Sequence, residues 1–203
     1  MKFVIYCVIL LLLTACTPVY PETTEIPELR FIWDYPLNES NIIGMGPFGV
    51  TESNDEIATE LEIHTKKWHD PIYAMASGVV LEIQEEKNPQ EKNTVEGVWI
   101  KHGHNVLLKY VHVYNVSVEE GDIIHVGDVI GYTTKFRDYG FFEVELRIKD
   151  GDKVYAYPFY DYCDSDCKEL LAPLWYNKDL QYGRNLKIPW KVIDRYEVNS
   201  HLM

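Results

Sequence analysis

An all-β domain with mostly antiparallel strands is the fold this sequence predicts, on three observations. Between about residue 41 and residue 160 the apolar residues recur in runs of four to nine, many of them alternating, and no stretch has ten or more residues at helical spacing. Short turns built on Gly, Asn and Asp separate these runs and leave no room for helical crossovers. The chain has 203 residues, 46% of them apolar and 13% aromatic, enough for one respectable core and its tails.

The elements follow in order. "NIIGMGPFGV" is β-prone but broken by Gly44, Gly46, Pro47 and Gly49. "TELEIH" alternates, with Leu61 and Ile63 on one face and Glu60, Glu62 and His64 on the other. "PIYAMASGVVLEIQ" reads as a strand, a turn or bulge at Gly78 and a second strand. After the polar "EEKNPQEKN" come "GVWIKHG" and "NVLLKYVHV", two strands around a turn at Gly103. "VEEGDIIHVGDVIGY" holds two Gly-centred turns. In "FFEVELRI", Phe142, Val144, Leu146 and Ile148 share one face, and Phe141, Glu143, Glu145 and Arg147 share the other. Residues 161–203 change character and read as an irregular C-terminal extension packed on the β domain, with a short helix before Pro173 and an extended "LKIPWKVIDRYEV".

The balance of 19 basic against 32 acidic residues, a formal charge of −13, argues against nucleic acid or an anionic lipid surface as a partner. The first residues, "MKFVIYCVILLLLTAC", combine a lysine, a secretory-length apolar run and small residues before a cysteine, a run too short to span a bilayer as a mature helix. Leu13-Thr14-Ala15-Cys16 resembles the bacterial lipobox. That implies a signal peptide over residues 1–15, a lipid on Cys16 and a Pro/Thr/Glu-rich tether over 16–40. An ordinary signal peptide and a short apolar anchor are the alternatives. Thr17, in place of an aspartate after the cysteine, resembles outer-membrane sorting, hence the periplasmic face of the outer membrane if the host is diderm. Cys163 and Cys167, four residues apart, suit a local disulfide in an exported chain; the rival reading, half a zinc site, lacks a second cysteine pair.

Together, "PIYAMASGVVLEI", "VWIKHGHNVLLKYVHV", "VEEGDIIHVGDVIGY" and "GDKVYAYPF" resemble the lysostaphin-like or LytM zinc endopeptidases of bacterial cell walls, over residues 42–160. "SGVVLEI" and the Gly-turn pair also fit biotinyl and lipoyl carrier domains and efflux-pump adaptors. The chain lacks the carriers' lysine between methionines, and Ile100-Lys101-His102-Gly103 with Tyr110-Val111-His112 favours the peptidase fold.

The resemblance implies a β-sandwich or open barrel and a zinc held by two histidines and an aspartate, with water as fourth ligand. Carried over residue by residue, the pattern places Ala58 and Glu62 where the family has His and Asp, and Phe141 and Glu143 where it has a His-x-His pair. Alanine and phenylalanine ligate no metal, so zinc is not expected. His112 matches the histidine beside the zinc and is the residual catalytic-type group. His102 matches a structural position. Glu62, Phe141, Glu143, Glu145 and Arg147 then line a degenerate groove, either as a solvated polar floor with an ion pair or two or, for Glu62, Glu143, His112 and His64, as an altered divalent-metal site.

Two functions of different class follow from that resemblance. One is a metal-free binding module that docks peptidoglycan or regulates a cell-wall hydrolase, with Tyr139 and Phe141 as contacts. The other is a metalloendopeptidase of peptidoglycan with substituted ligands. A purely structural envelope lipoprotein is a third reading.

Overall fold

The computed structural model describes residues 42–46, 58–87, 92–103, 105–158, 162, 165 and 195–198. The candidate lipid site Cys16, the cysteines Cys163 and Cys167, the helix expected before Pro173, His104 and His201 lie outside them.

The strands are β1 (Ile42–Gly46), β2 (Leu61–Thr65), β3 (Pro71–Tyr73), β4 (Gly78–Glu85), β5 (Thr94–His102), β6 (Val106–Tyr114), β7 (Ile123–Ile124), β8 (Val129–Phe136), β9 (Tyr139–Asp150), β10 (Lys153–Tyr157) and β11 (Tyr196–Val198). Every pairing among them is antiparallel, and all belong to one sheet of order β1-β2-β9-β8-β6-β5-β4-β7, with β10 on β9, β11 on β10 and β3 on β8. The fold is all-β, as the alternation and short turns predict. Gly103, Gly121, Gly127 and Gly151 turn the chain at positive φ, where a side chain would strain the backbone.

Strand alternation sorts the residues onto two faces. Leu61 and Ile63 of β2, Phe142, Val144, Leu146 and Ile148 of β9, Val106, Leu108 and Tyr110 of β6, and Val98 and Ile100 of β5 form the core with Ile72, Val80 and Ile130. Each such side chain contributes about 1.5–3 kcal/mol by leaving water. Tyr110 is fully buried, and its hydroxyl accepts the Met75 N–H at 2.9 Å, which fastens the segment after β3 to the sheet. Burial pushes its phenol far above the ordinary range. Tyr110→Phe orphans that buried N–H and is expected to destabilise the domain by about 1–3 kcal/mol, read as a lower urea midpoint at unchanged m-value.

Gly78 begins β4 where no side chain fits. A Cβ there would meet the Lys101 carbonyl, the His102 ring and the Ile100 side chain. The approach lets His102, buried on β5, place Nδ1 2.7 Å from the Ser77 carbonyl, to which it donates. His102 is thus a structural tie, as its motif position implies. At the other edge, β11 is held by exposed pairs, Lys153 with Glu197 at 2.6 Å and Arg195 with Asp150 at 3.1 Å, which add little stability in water.

Candidate functional site

The face of β2, β9, β6 and β5 opposite the core carries the groove residues, and register decides which of them meet. Glu62 pairs directly with Glu143 and His64 with Phe141 across β2 and β9. Lys109 pairs with Glu145 and Val111 with Glu143 across β6 and β9.

His112 reaches this face where β6 changes partner. β6 follows β9 as far as Val111↔Glu143, then follows β8 from Val113↔Thr133, which leaves His112 unpaired between the two registers at φ +57°. The left-handed backbone of a non-glycine residue costs about 1–3 kcal/mol and persists where its surroundings enforce it. The half-buried imidazole lies between two carboxylates: Nε2 is 3.8 Å from Glu143 Oε2 and Nδ1 is 3.6 Å from Glu86 Oε2. Burial lowers its pKa; Glu86 opposes that shift and Lys109 adds to it. Its ring is 5.5 Å from that of Phe141.

Two carboxylates placed directly opposite repel. An imidazole beside each relieves Glu62 and Glu143, since the buried His64 sets Nε2 3.4 Å from Glu62 Oε2. The His64 ring packs against Tyr139 at 5.2 Å and Phe141 at 5.3 Å, and Phe136 packs on Phe141 at 5.5 Å. The result is an acceptor-rich strip beside a wall of aromatic rings.

Further along the same face the polar residues are buried, which a solvated floor does not describe. Glu145 is 0% exposed, and Arg147 Nη2 lies 2.9 Å from its Oε2 although neither oxygen receives a well-aligned hydrogen bond. The Arg147 guanidinium lies 4.6 Å over the buried Trp99 ring, and Lys109 Nζ lies 5.2 Å over it and 3.6 Å from Glu96. Gly97 makes room for the Lys109 stem, which a Cβ would strike. Burial, and then the neighbouring Glu145, raises the pKa of Glu60. The sheet therefore grades from a half-buried acidic end at Glu62, Glu143 and His112 to a buried ion-pair layer at Glu145 and Arg147.

The residues that sequence reasoning brought together, Glu62, Phe141, Glu143 and His112, do meet. Glu86, Lys109, Trp99 and Phe136 were missed. Glu86 follows β4 with no motif, and the other three belong to this face through strand register alone. Among the described residues no group of three or more His, Cys, Asp or Glu side chains is arranged to hold a metal ion. Of the positions aligned with the family's His–Asp–His zinc ligands, Ala58 brings no donor and Glu62 and Glu143 stand at the other two, so these residues do not fit that site.

None of the curated proteins compared matches the chain. Solved structures similar in fold include a mutant catalytic domain of the prophage-encoded M23 protein EnpA from Enterococcus faecalis, at 19% identity and a TM-score of 0.44, over 55% of this chain and 84% of that one. They also include the antimicrobial peptidase lysostaphin from Staphylococcus simulans, at 12% identity and a TM-score of 0.46, over 73% of this chain and 55% of that one. The sequence profile of peptidase family M23 matches residues 58–156, which span the strands from β2 to β10 and the groove they carry. That match agrees with the LytM-like family that the sequence motifs resemble.

Proposed function

We propose that the chain is an exported lipoprotein, anchored through Cys16, whose M23 domain has lost zinc chemistry and uses the former active-site groove to bind peptidoglycan or to regulate a cell-wall hydrolase. One observation carries the reading: the strip that would hold zinc is an acidic pair, Glu62 and Glu143, each faced by an imidazole and bordered by Phe141, Tyr139 and Phe136. Carboxylates and rings in that order accept amide N–H donors and ammonium groups, which peptide cross-links present. A metal-free member of a peptidase family would keep the shape of a peptide groove without the nucleophile.

His112, set between Glu143 and Glu86, favours a second reading, a metalloendopeptidase of peptidoglycan with substituted ligands. Elemental analysis after expression in zinc-supplemented medium, run with a muropeptide-release assay, separates the two. The expected outcome is zinc far below one equivalent, no release, and retention on insoluble peptidoglycan or on a partner amidase. One equivalent of tight zinc, with release abolished by His112→Ala, would establish the second reading instead. For the anchor, Cys16→Ala is expected to block maturation and membrane fractionation. Unreduced mass spectrometry is expected to show Cys163 linked to Cys167.

A further inference from the structure

The turn after β2 carries Lys66, Lys67, Trp68 and His69 in succession, and Trp68 is one of three large apolar side chains exposed among the described residues, at 41%. Its ring is nonetheless held in place. Lys135 Nζ lies 5.2 Å over it, and the His69 ring meets it edge-on at 3.8 Å. The His69 ring in turn stacks on Tyr114 at 4.2 Å, 6° from parallel. His69 is held at φ +64° while its N–H donates to the Thr133 carbonyl at 3.0 Å.

Gly140 brings the β8–β9 hairpin against this turn. A Cβ there would strike the Lys67 carbonyl and the Thr65 hydroxyl, which itself donates to Lys67 O at 2.6 Å. The contact sets exposed Lys135 and Arg137 of the hairpin at the same end of the sheet as exposed Lys66 and Lys67. Within residues 64–69 and 134–141 the one acidic residue is Asp138, in a chain of net charge −13. A local basic rim around a packed, exposed indole runs against the charge of the whole molecule.

We propose that Trp68, with Lys66, Lys67, Lys135 and Arg137, is a contact surface for an acidic sugar polymer, separate from the groove. A sugar ring offers a flat C–H face to an indole, and carboxylates along the polymer offer charge to the four cations. A lipid surface fits less well, because a peripheral membrane face needs several apolar residues and this patch exposes one, on a chain that anionic lipid repels. Phe136 packs on Phe141 while the Arg137 guanidinium lies 5.5 Å over Phe136, so the patch adjoins the aromatic end of the groove. The inference rests on the cell-wall reading above and adds that sugar strands freed of their peptides, and so carrying free carboxylates, are held.

The test measures binding of the full chain to peptidoglycan glycan strands stripped of peptide, whose freed lactyl groups are carboxylates, with a neutral chitooligosaccharide and phosphatidylglycerol vesicles as comparison probes. Trp68→Ala, and separately Lys66→Glu with Lys67→Glu, are each expected to weaken strand binding by about tenfold or more, the charge variant also flattening its salt dependence. Lys153→Gln, exposed on β10 away from the groove and the patch, is expected to leave strand binding unchanged, and the neutral oligosaccharide to bind more weakly than the strands. Equal strand binding by the parent and Trp68→Ala, with intact peptidoglycan still retained, would overturn this surface and leave the cell-wall reading standing. No retention on intact peptidoglycan, with intact vesicles bound through Trp68, would overturn both.

Discussion

Arg147→Met is expected to destabilise the domain by about 3–5 kcal/mol, the range for removing one partner of a buried ion pair. Glu145 has no exposed surface and no well-aligned hydrogen bond, so Arg147 Nη2 at 2.9 Å is its nearest compensation. Lys109 is its cross-strand partner, but the Lys109 ammonium is engaged with Glu96 and Trp99. Left without the guanidinium, the buried carboxylate is uncompensated, and Trp99 loses the group packed over its ring. Pairing the change with Glu145→Leu removes the stranded charge and is expected to restore most of the loss. Urea titrations of the parent, the single variant and the double variant measure this. A single variant within about 1 kcal/mol of the parent would show that the pair is solvated and the burial gradient along β9 is wrong.

The second large effect is a loss of stability in mild acid. Burial lowers the His102 pKa to about 4 from an ordinary 6.5, while its Nδ1–H bond to the Ser77 carbonyl opposes the shift. Between those values the unfolded chain takes up a proton that the folded chain refuses, so stability rises with pH across the window. The contribution is fully present above about pH 6.5 and is lost as pH falls toward 4, amounting to about 3 kcal/mol at the acid end. His112, also lowered by burial, acts in the same direction. Glu60 acts in the opposite one: its carboxyl is raised by burial and by Glu145, so protonation favours the folded state as pH falls through the carboxylate range. A Tm profile from pH 7.5 to 4 should therefore decline, and His102→Gln, which has no group to titrate there, should flatten it. A profile of unchanged slope in that variant would assign the acid sensitivity elsewhere.

The sequence by itself determined the fold class, the succession of strands along the chain and the two faces of β9. Alternation at period two reports which side of a strand is apolar, and Phe142, Val144, Leu146 and Ile148 against Phe141, Glu143, Glu145 and Arg147 is that pattern without interruption. It also named Gly103 as a turn position, and the family resemblance aligned Ala58, Glu62 and Glu143 with the family's ligand positions, because both depend on residue type at a spacing along the chain. Tertiary structure alone decided the rest. Which carboxylate meets which imidazole is a matter of register, and the pairing of Glu62 with Glu143 or Lys109 with Glu145 joins residues 81 and 36 positions apart. The left-handed backbone at His112 falls where β6 exchanges β9 for β8, a change of partner that no local pattern encodes. Burial of Glu145 follows from what neighbouring strands lay over a polar residue. Alternation tells polar from apolar but is silent on which polar side chains reach water, so the ion pair expected on a solvated floor proved to be largely buried.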